Sequence, residues 1–305
     1  MKKVALSVAA LALTAGSALA ADLPSRKGPP VLPPPPPPPL WTGFYVGLNA
    51  GGGWSSSTTT NVVTSPLGNP LLPLSPFGVS EWLNVSAGGT GSLSSGSNGG
   101  FLGGGQIGYN YQFYNSFVVG LEADIQGVAT SGSGQSALTV LPTTFAGINS
   151  VTGISVSKSL DYIGTVRGRL GWLALPTLLI YGTGGLAYGG VNSTTGIFQQ
   201  ADVPFVDNFG TTSAGAFSDT RVGWTAGGGV EWMFWPNWSA KVEYLYYNLG
   251  TVTYSAGSRL ALLAPATPLW AHATQTSTSF NGNIVRAGVN YHFNWGAPAP
   301  VVAKY

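Results

Sequence analysis

The chain has 305 residues, of which only 7% are charged, and no cysteine. A soluble domain carries about 25% charged residues, so an ordinary water-soluble fold fits badly, and the missing thiols exclude disulfide scaffolds and thiolate metal sites. No interior apolar run reaches the ~20 residues of a spanning helix; few charges, 10 Trp and 45 Gly favour a β-barrel in a bilayer instead.

Residues 1–20 read as a secretory signal peptide. Lys2 and Lys3 start it, Val4 to Leu13 form its apolar centre, and Ala18-Leu19-Ala20 is a small-residue cleavage site before Ala21. The apolar run is too short for a membrane anchor. Without Lys2 and Lys3, the twelve basic residues fall to ten against ten acidic ones. A formally neutral mature chain argues against nucleic acid as a partner. Residues 21–40 hold Arg26, Lys27 and the unbroken run Pro33 to Pro39. Such a run adopts extended polyproline II and spans on the order of 20 Å. It is expected to be a periplasmic linker, either a plain spacer or a ligand for a wall-associated partner.

From Trp41 to Phe293 an alternation of period 2 predicts eight strands. They are Thr42–Trp54, Phe101–Phe113, Phe117–Gln126, Leu160–Leu173, Thr177–Gly189, Thr220–Trp232, Trp238–Val252 and Asn283–Phe293. In the last, Val285, Ala287, Val289, Tyr291 and Phe293 share one face, and Arg286, Gly288, Asn290 and His292 the other. A soluble sandwich would bury the apolar face, whereas a membrane barrel turns it to lipid. The connections favour the barrel. Tyr114-Asn115-Ser116, Ala174-Leu175-Pro176 and Pro236-Asn237 are short turns, while 55–100, 128–158, 190–219 and 255–282 are long and rich in Ser, Thr and Gly. The expected fold is all-β: an eight-stranded antiparallel up-and-down transmembrane β-barrel over 41–293, with short periplasmic turns and four long extracellular loops. Residues 294–305 are left as a C-terminal tail.

Ten charged residues fall on the faces opposite the apolar ones: Glu122, Asp124, Asp161, Arg167, Arg169, Arg221, Glu231, Lys241, Glu243 and Arg286. An Arg or Lys facing lipid at the bilayer midplane costs ~2–4 kcal/mol, so these are candidate lumen-lining residues. Enclosed charges must be paired or solvated. Two readings stay open: a balanced polar plug filling the narrow interior, or the charged lining of a narrow pore for ions or small solutes.

Catalytic and metal-binding patterns are weak. His272 stands near Ser277 and Ser279, His292 ends the last strand, and no His-x₃-His or calcium-loop motif occurs. Gly103-Gly104-Gly105 and Gly227-Gly228-Gly229 open no helix, so they make no phosphate loop. No enzyme activity and no cofactor are expected. Apolar groups in the long connections, Leu71-Leu72-Pro73-Leu74 and Leu260-Ala261-Leu262-Leu263, would either form an adhesive surface or pack over the barrel mouth.

Three stretches carry a family likeness: Ala20-Ala21-Asp22-Leu23-Pro24, the opening Trp41-Thr42-Gly43-Phe44-Tyr45-Val46-Gly47, and the closing Val285-Arg286-Ala287-Gly288-Val289-Asn290-Tyr291-His292-Phe293. With Leu160 to Gly171, they resemble the Omp25/Omp31-like outer-membrane immunogenic proteins of α-proteobacteria, a porin family by name. The resemblance implies an eight-stranded barrel in the Gram-negative outer membrane. It also implies surrounding lipid and lipopolysaccharide, the barrel-insertion machinery as a folding partner, and loops free to meet an extracellular ligand. Members often end on the last strand's aromatic, which here would be Phe293. Binding residues do not transfer, because the likeness lies in strands and not in a site.

Overall fold

The computed structural model describes residues 40–67, 86–94, 99–114, 116–129, 133–142, 149–201, 209–263 and 267–293, with backbone alone for 201, 209–210, 258–263 and 267–271. The signal peptide, the linker up to Pro39, the tail after Phe293, the Leu71 to Leu74 group and the side chains of Leu260 to Leu263 lie outside the described residues. Eleven strands follow in order: β1 (Gly43–Ser55), β2 (Thr59–Pro66), β3 (Gly91–Ser94), β4 (Gly99–Phe113), β5 (Phe117–Ala129), β6 (Ser133–Pro142), β7 (Asn149–Leu175), β8 (Leu178–Ala201), β9 (Phe209–Trp235), β10 (Trp238–Leu263) and β11 (Thr267–Phe293).

All pairings are antiparallel, and they close on themselves. The path β1-β4-β5-β7-β8-β9-β10-β11 returns to β1 through the β1–β11 pairing. Phe44 stands opposite Phe293 and Gly52 opposite Val285. A closed path leaves no unpaired strand edge, which is what a sheet in lipid requires. Tight connections join Phe113 to Phe117, Leu175 to Leu178 and Trp235 to Trp238 at one end. These agree with the short turns expected from the sequence.

The opposite end differs from expectation. The described parts of the four long connections are largely strand, not loop. β7 to β11 run on for 24–27 residues, while β2 and β3 extend the sheet from β11, and β6 adds to β7. The misreading has a physical cause. In these segments outward Ser and Thr alternate with inward Thr, as at Thr274, Gln275, Thr276, Ser277 and Thr278. The hydrophobic contrast that marks a strand is therefore absent, although Thr is a good strand former.

The outer surface has two zones. Along β11 the outward side chains run Tyr291, Val289, Ala287 and Val285, and then become Asn283, Asn281, Ser279 and Gln275. β9 changes likewise, from Trp232, Val230, Trp224 and Val222 to Thr220 and Ser218. The apolar zone covers about ten residues per strand, or ~25 Å for tilted strands. Exposed aromatics such as Phe44, Tyr111, Phe117, Trp172, Trp235 and Trp238 crowd its turn-side margin, as an interfacial girdle requires.

Candidate functional site

The interior of the ring is filled in layers. At the turn end Trp41, Val118, Leu173, Leu179, Tyr181 and Met233 form an apolar cluster. Trp41 precedes β1 and is only 1% exposed. Its indole N–H donates to the carbonyl of Pro176 at 3.0 Å, and its ring meets His292 edge-on at 5.8 Å. Trp41 is thus folded inward at the start of the ring, as a cork.

Above it lies a belt of charge. Glu122 and Asp124 come from β5, Arg167 and Arg169 from β7, Glu231 from β9, Lys241 and Glu243 from β10, and Arg286 from β11. All are buried. Four carboxylates face four cations, so the belt is formally neutral. Glu122 is its hub: it takes bonds from Lys241 at 2.9 Å, Arg169 at 3.3 Å and the Tyr45 hydroxyl at 2.7 Å, and it also pairs with Arg167. Asp124 accepts from Thr165 at 2.7 Å and from Arg167 and Arg286 at 2.9 Å. Glu243 holds Arg167 at 2.9 Å and Arg286 at 2.6 Å. Glu231 accepts from Arg169 at 2.6 Å, Ser239 at 2.6 Å and Asn290 at 2.7 Å. Arg169 also lies 3.9 Å from the Tyr181 ring centroid. Such paired, hydrogen-bonded charges are the form in which burial is tolerated.

Glycine lets two strands approach closely beside the belt. Gly185 stands opposite Arg167 in the β7–β8 register. A Cβ there would lie 2.2 Å from the Val166 carbonyl oxygen and 2.8 Å from Arg167 Cα.

A second apolar layer covers the belt, with Leu102, Ile163, Leu245, Leu249, Phe280 and Ile284 among its members. Beyond it the projecting strands enclose hydroxyls. Thr60 pairs with Thr278 and Thr64 with Thr274, both at 3.0 Å, while Thr195 meets Thr276 at 2.9 Å. Val62, Leu93, Ile154, Val156 and Ile197 pack beside them.

Of the ten charges expected inside, two stand apart from the belt. Asp161 is exposed, correcting the expectation that it faces inward. The β7–β8 register shifts between Leu160 and Tyr162, and this bulge turns Asp161 outward, where Asn192 donates to it at 2.7 Å. Arg221 is half-buried and has no ion pair among the described residues. Lys158, the last residue of the expected 128–158 connection, is buried on β7. Sequence reasoning missed the apolar layers and Trp41. Period 2 puts Leu245 and Ile284 on the faces of Glu243 and Arg286, a signal that the emphasis on inward charges passed over. On β11 His272 is buried inside while Ser277 and Ser279 point outward, bonding Thr253 at 3.3 Å and Thr251 at 2.8 Å. They make no nucleophile–base pair.

Residues 7–293 match the family described as outer membrane protein beta-barrel domain. The chain belongs to that family. It is 37% identical over 251 residues to the 31 kDa outer-membrane immunogenic protein of Brucella melitensis, covering 82% of this chain and 88% of that protein. The 22 kDa outer membrane protein of Rhizobium leguminosarum bv. viciae is 30% identical over 200 residues, covering 61% and 75%. Among solved structures, OprG of Pseudomonas aeruginosa aligns over 83% of this chain and 97% of its own at 8% identity, with a TM-score of 0.33. The resemblance drawn from the first and last strands therefore holds, and this β-barrel family member resides in the cell outer membrane.

Proposed function

We propose that this chain is an eight-stranded outer-membrane barrel whose lumen is closed by its own side chains, and whose role in the envelope is structural and surface-directed. One observation carries the reading: the neutral charge belt lies sealed between two apolar layers. Ions crossing it would have to displace paired guanidinium and carboxylate groups and then pass apolar constrictions, both of which oppose conduction. The projecting strands stand ~30 Å beyond the apolar zone at ~3.3 Å per tilted residue. With the connections at their tips, they are the surface offered to other cells or molecules. The reading is non-enzymatic, in keeping with relatives described as outer-membrane immunogenic proteins.

The competing reading is a narrow channel for ions or small solutes, and conductance separates the two. Residues 21–305, refolded into a planar bilayer, are expected to give a silent, protease-resistant, heat-modifiable barrel. Discrete and reproducible current steps, altered in selectivity by Arg167→Ala or Arg169→Ala, would replace the closed lumen with a pore.

A further inference from the structure

The upper apolar layer is not fully packed. A cavity of about 70 Å³ lies between Leu102, Leu160, Ile163, Phe280 and Ile284, with Lys158 and Asn281 also on its wall. A buried water needs ~10–15 Å³ of such space, so the cavity admits several methylenes of one chain and not a large ring system. Trp54 and Ser133 reach it at the tips of β1 and β6.

Its position in the wall is specific. The β1–β4 register ends at Trp54 and Gly99, β4–β5 at Phe101 and Ala129, and β5–β7 at Gly127 and Tyr162. Beyond those pairs the sheet continues on one side through β2 and β3 and on the other through β6. No described pairing joins β3 to β6. The cavity therefore sits where the complete ring gives way to the projecting strands. This is also the level at which outward faces turn from apolar to polar.

One polar side chain marks it. The Lys158 ammonium is buried, and among the described residues it has no carboxylate partner and donates only to the Ser57 carbonyl. Lys158 stands above the apolar zone, and burial holds its pKa below the usual lysine value. A buried ammonium with no ion partner above apolar walls is complementary to an anionic head on an alkyl chain.

We propose that this cavity binds a single-chain alkyl carboxylate, with the carboxylate on Lys158 and the chain among Leu102, Leu160, Ile163, Phe280 and Ile284. The site lies above the charge belt and needs no open lumen, so it stands whether or not the barrel conducts.

The probe is octanoate carrying ¹³C at its carboxyl carbon, titrated by NMR against residues 21–305 folded in phosphatidylcholine nanodiscs. Saturable one-site binding above that of empty nanodiscs is expected, with octanol and octylamine weaker. Lys158→Gln should weaken octanoate by about tenfold or more, the loss of one charge-assisted contact, and Lys158→Arg should retain it. Leu160→Trp, which fills the cavity, should abolish it. Absence of saturable binding would overturn the proposal, as would octanol binding as tightly as octanoate. If Lys158→Gln fails to fold, the comparison of the three ligands on the native chain decides.

Discussion

Lys241 Nζ lies 2.9 Å from both carboxylate oxygens of Glu122, although their strands stand opposite each other around the ring. Three strands separate β10 from β5 in either direction: β9, β8 and β7 one way, β11, β1 and β4 the other. The pair spans the lumen. Arg167 and Glu243 make a similar crossing between β7 and β10 at 2.9 Å. These contacts brace the ring from within, and their removal tests how much.

Glu122→Ala should destabilise the barrel by ~3–5 kcal/mol, because it strands Lys241, Arg167 and Arg169 around an uncompensated buried site. Urea unfolding in lipid vesicles, followed by tryptophan fluorescence, measures this. A change below ~1 kcal/mol would mean that water replaces the carboxylate freely.

The two-zone exterior predicts where lipid ends. Leu121 points outward from β5 and is 66% exposed. Leu121→Arg should cost ~2–4 kcal/mol, whereas Gln275→Arg, outward on the polar part of β11, should cost close to nothing. Equal costs in the same vesicle unfolding assay would move the membrane boundary.

Gly185 and Gly168 face opposite ways beside Arg167. A Cβ on Gly185 meets backbone at 2.2 Å, while one on Gly168 finds only a carbonyl oxygen at 3.9 Å. Gly185→Ala should reduce the yield of heat-modifiable barrel sharply. Gly168→Ala should behave like the native chain, within ~0.5 kcal/mol. Normal folding of Gly185→Ala would show that β7 and β8 can part there.

Trp54 and Gly99 are register partners, so residues 55–98 can be replaced by a short Gly-rich turn without disturbing the ring. The shortened chain should still insert and resist protease. It would lose β2 and β3, and with them the Thr60–Thr278 and Thr64–Thr274 contacts. Failure to form a protease-resistant core would show that the projecting sheet is part of the folding unit.

Alternation along single strands was enough to identify the closed all-β architecture, the tight turns and the inward side of Glu122, Arg167, Lys241 and Arg286. Those features depend on period 2 and on the high cost of charge in lipid, both of which are local. The first and last strands carried the family likeness for the same reason. Their alternating pattern is complete within a dozen residues, and the β1–β11 pairing joins them.

Which charges meet was decided only by tertiary structure. Glu122 reaches Lys241 across the ring because tilt and register bring residues 119 positions apart to one level, and no spacing in the chain encodes that. The bulge that turns out Asp161 is a single register shift between Leu160 and Tyr162, invisible in a pattern that assumes strict alternation. Period 2 puts Leu245 and Ile284 on the faces of Glu243 and Arg286, but that they meet in one layer over the belt was decided by the closed ring. Trp41 precedes β1, and its inward side became evident only once the ring had closed around it.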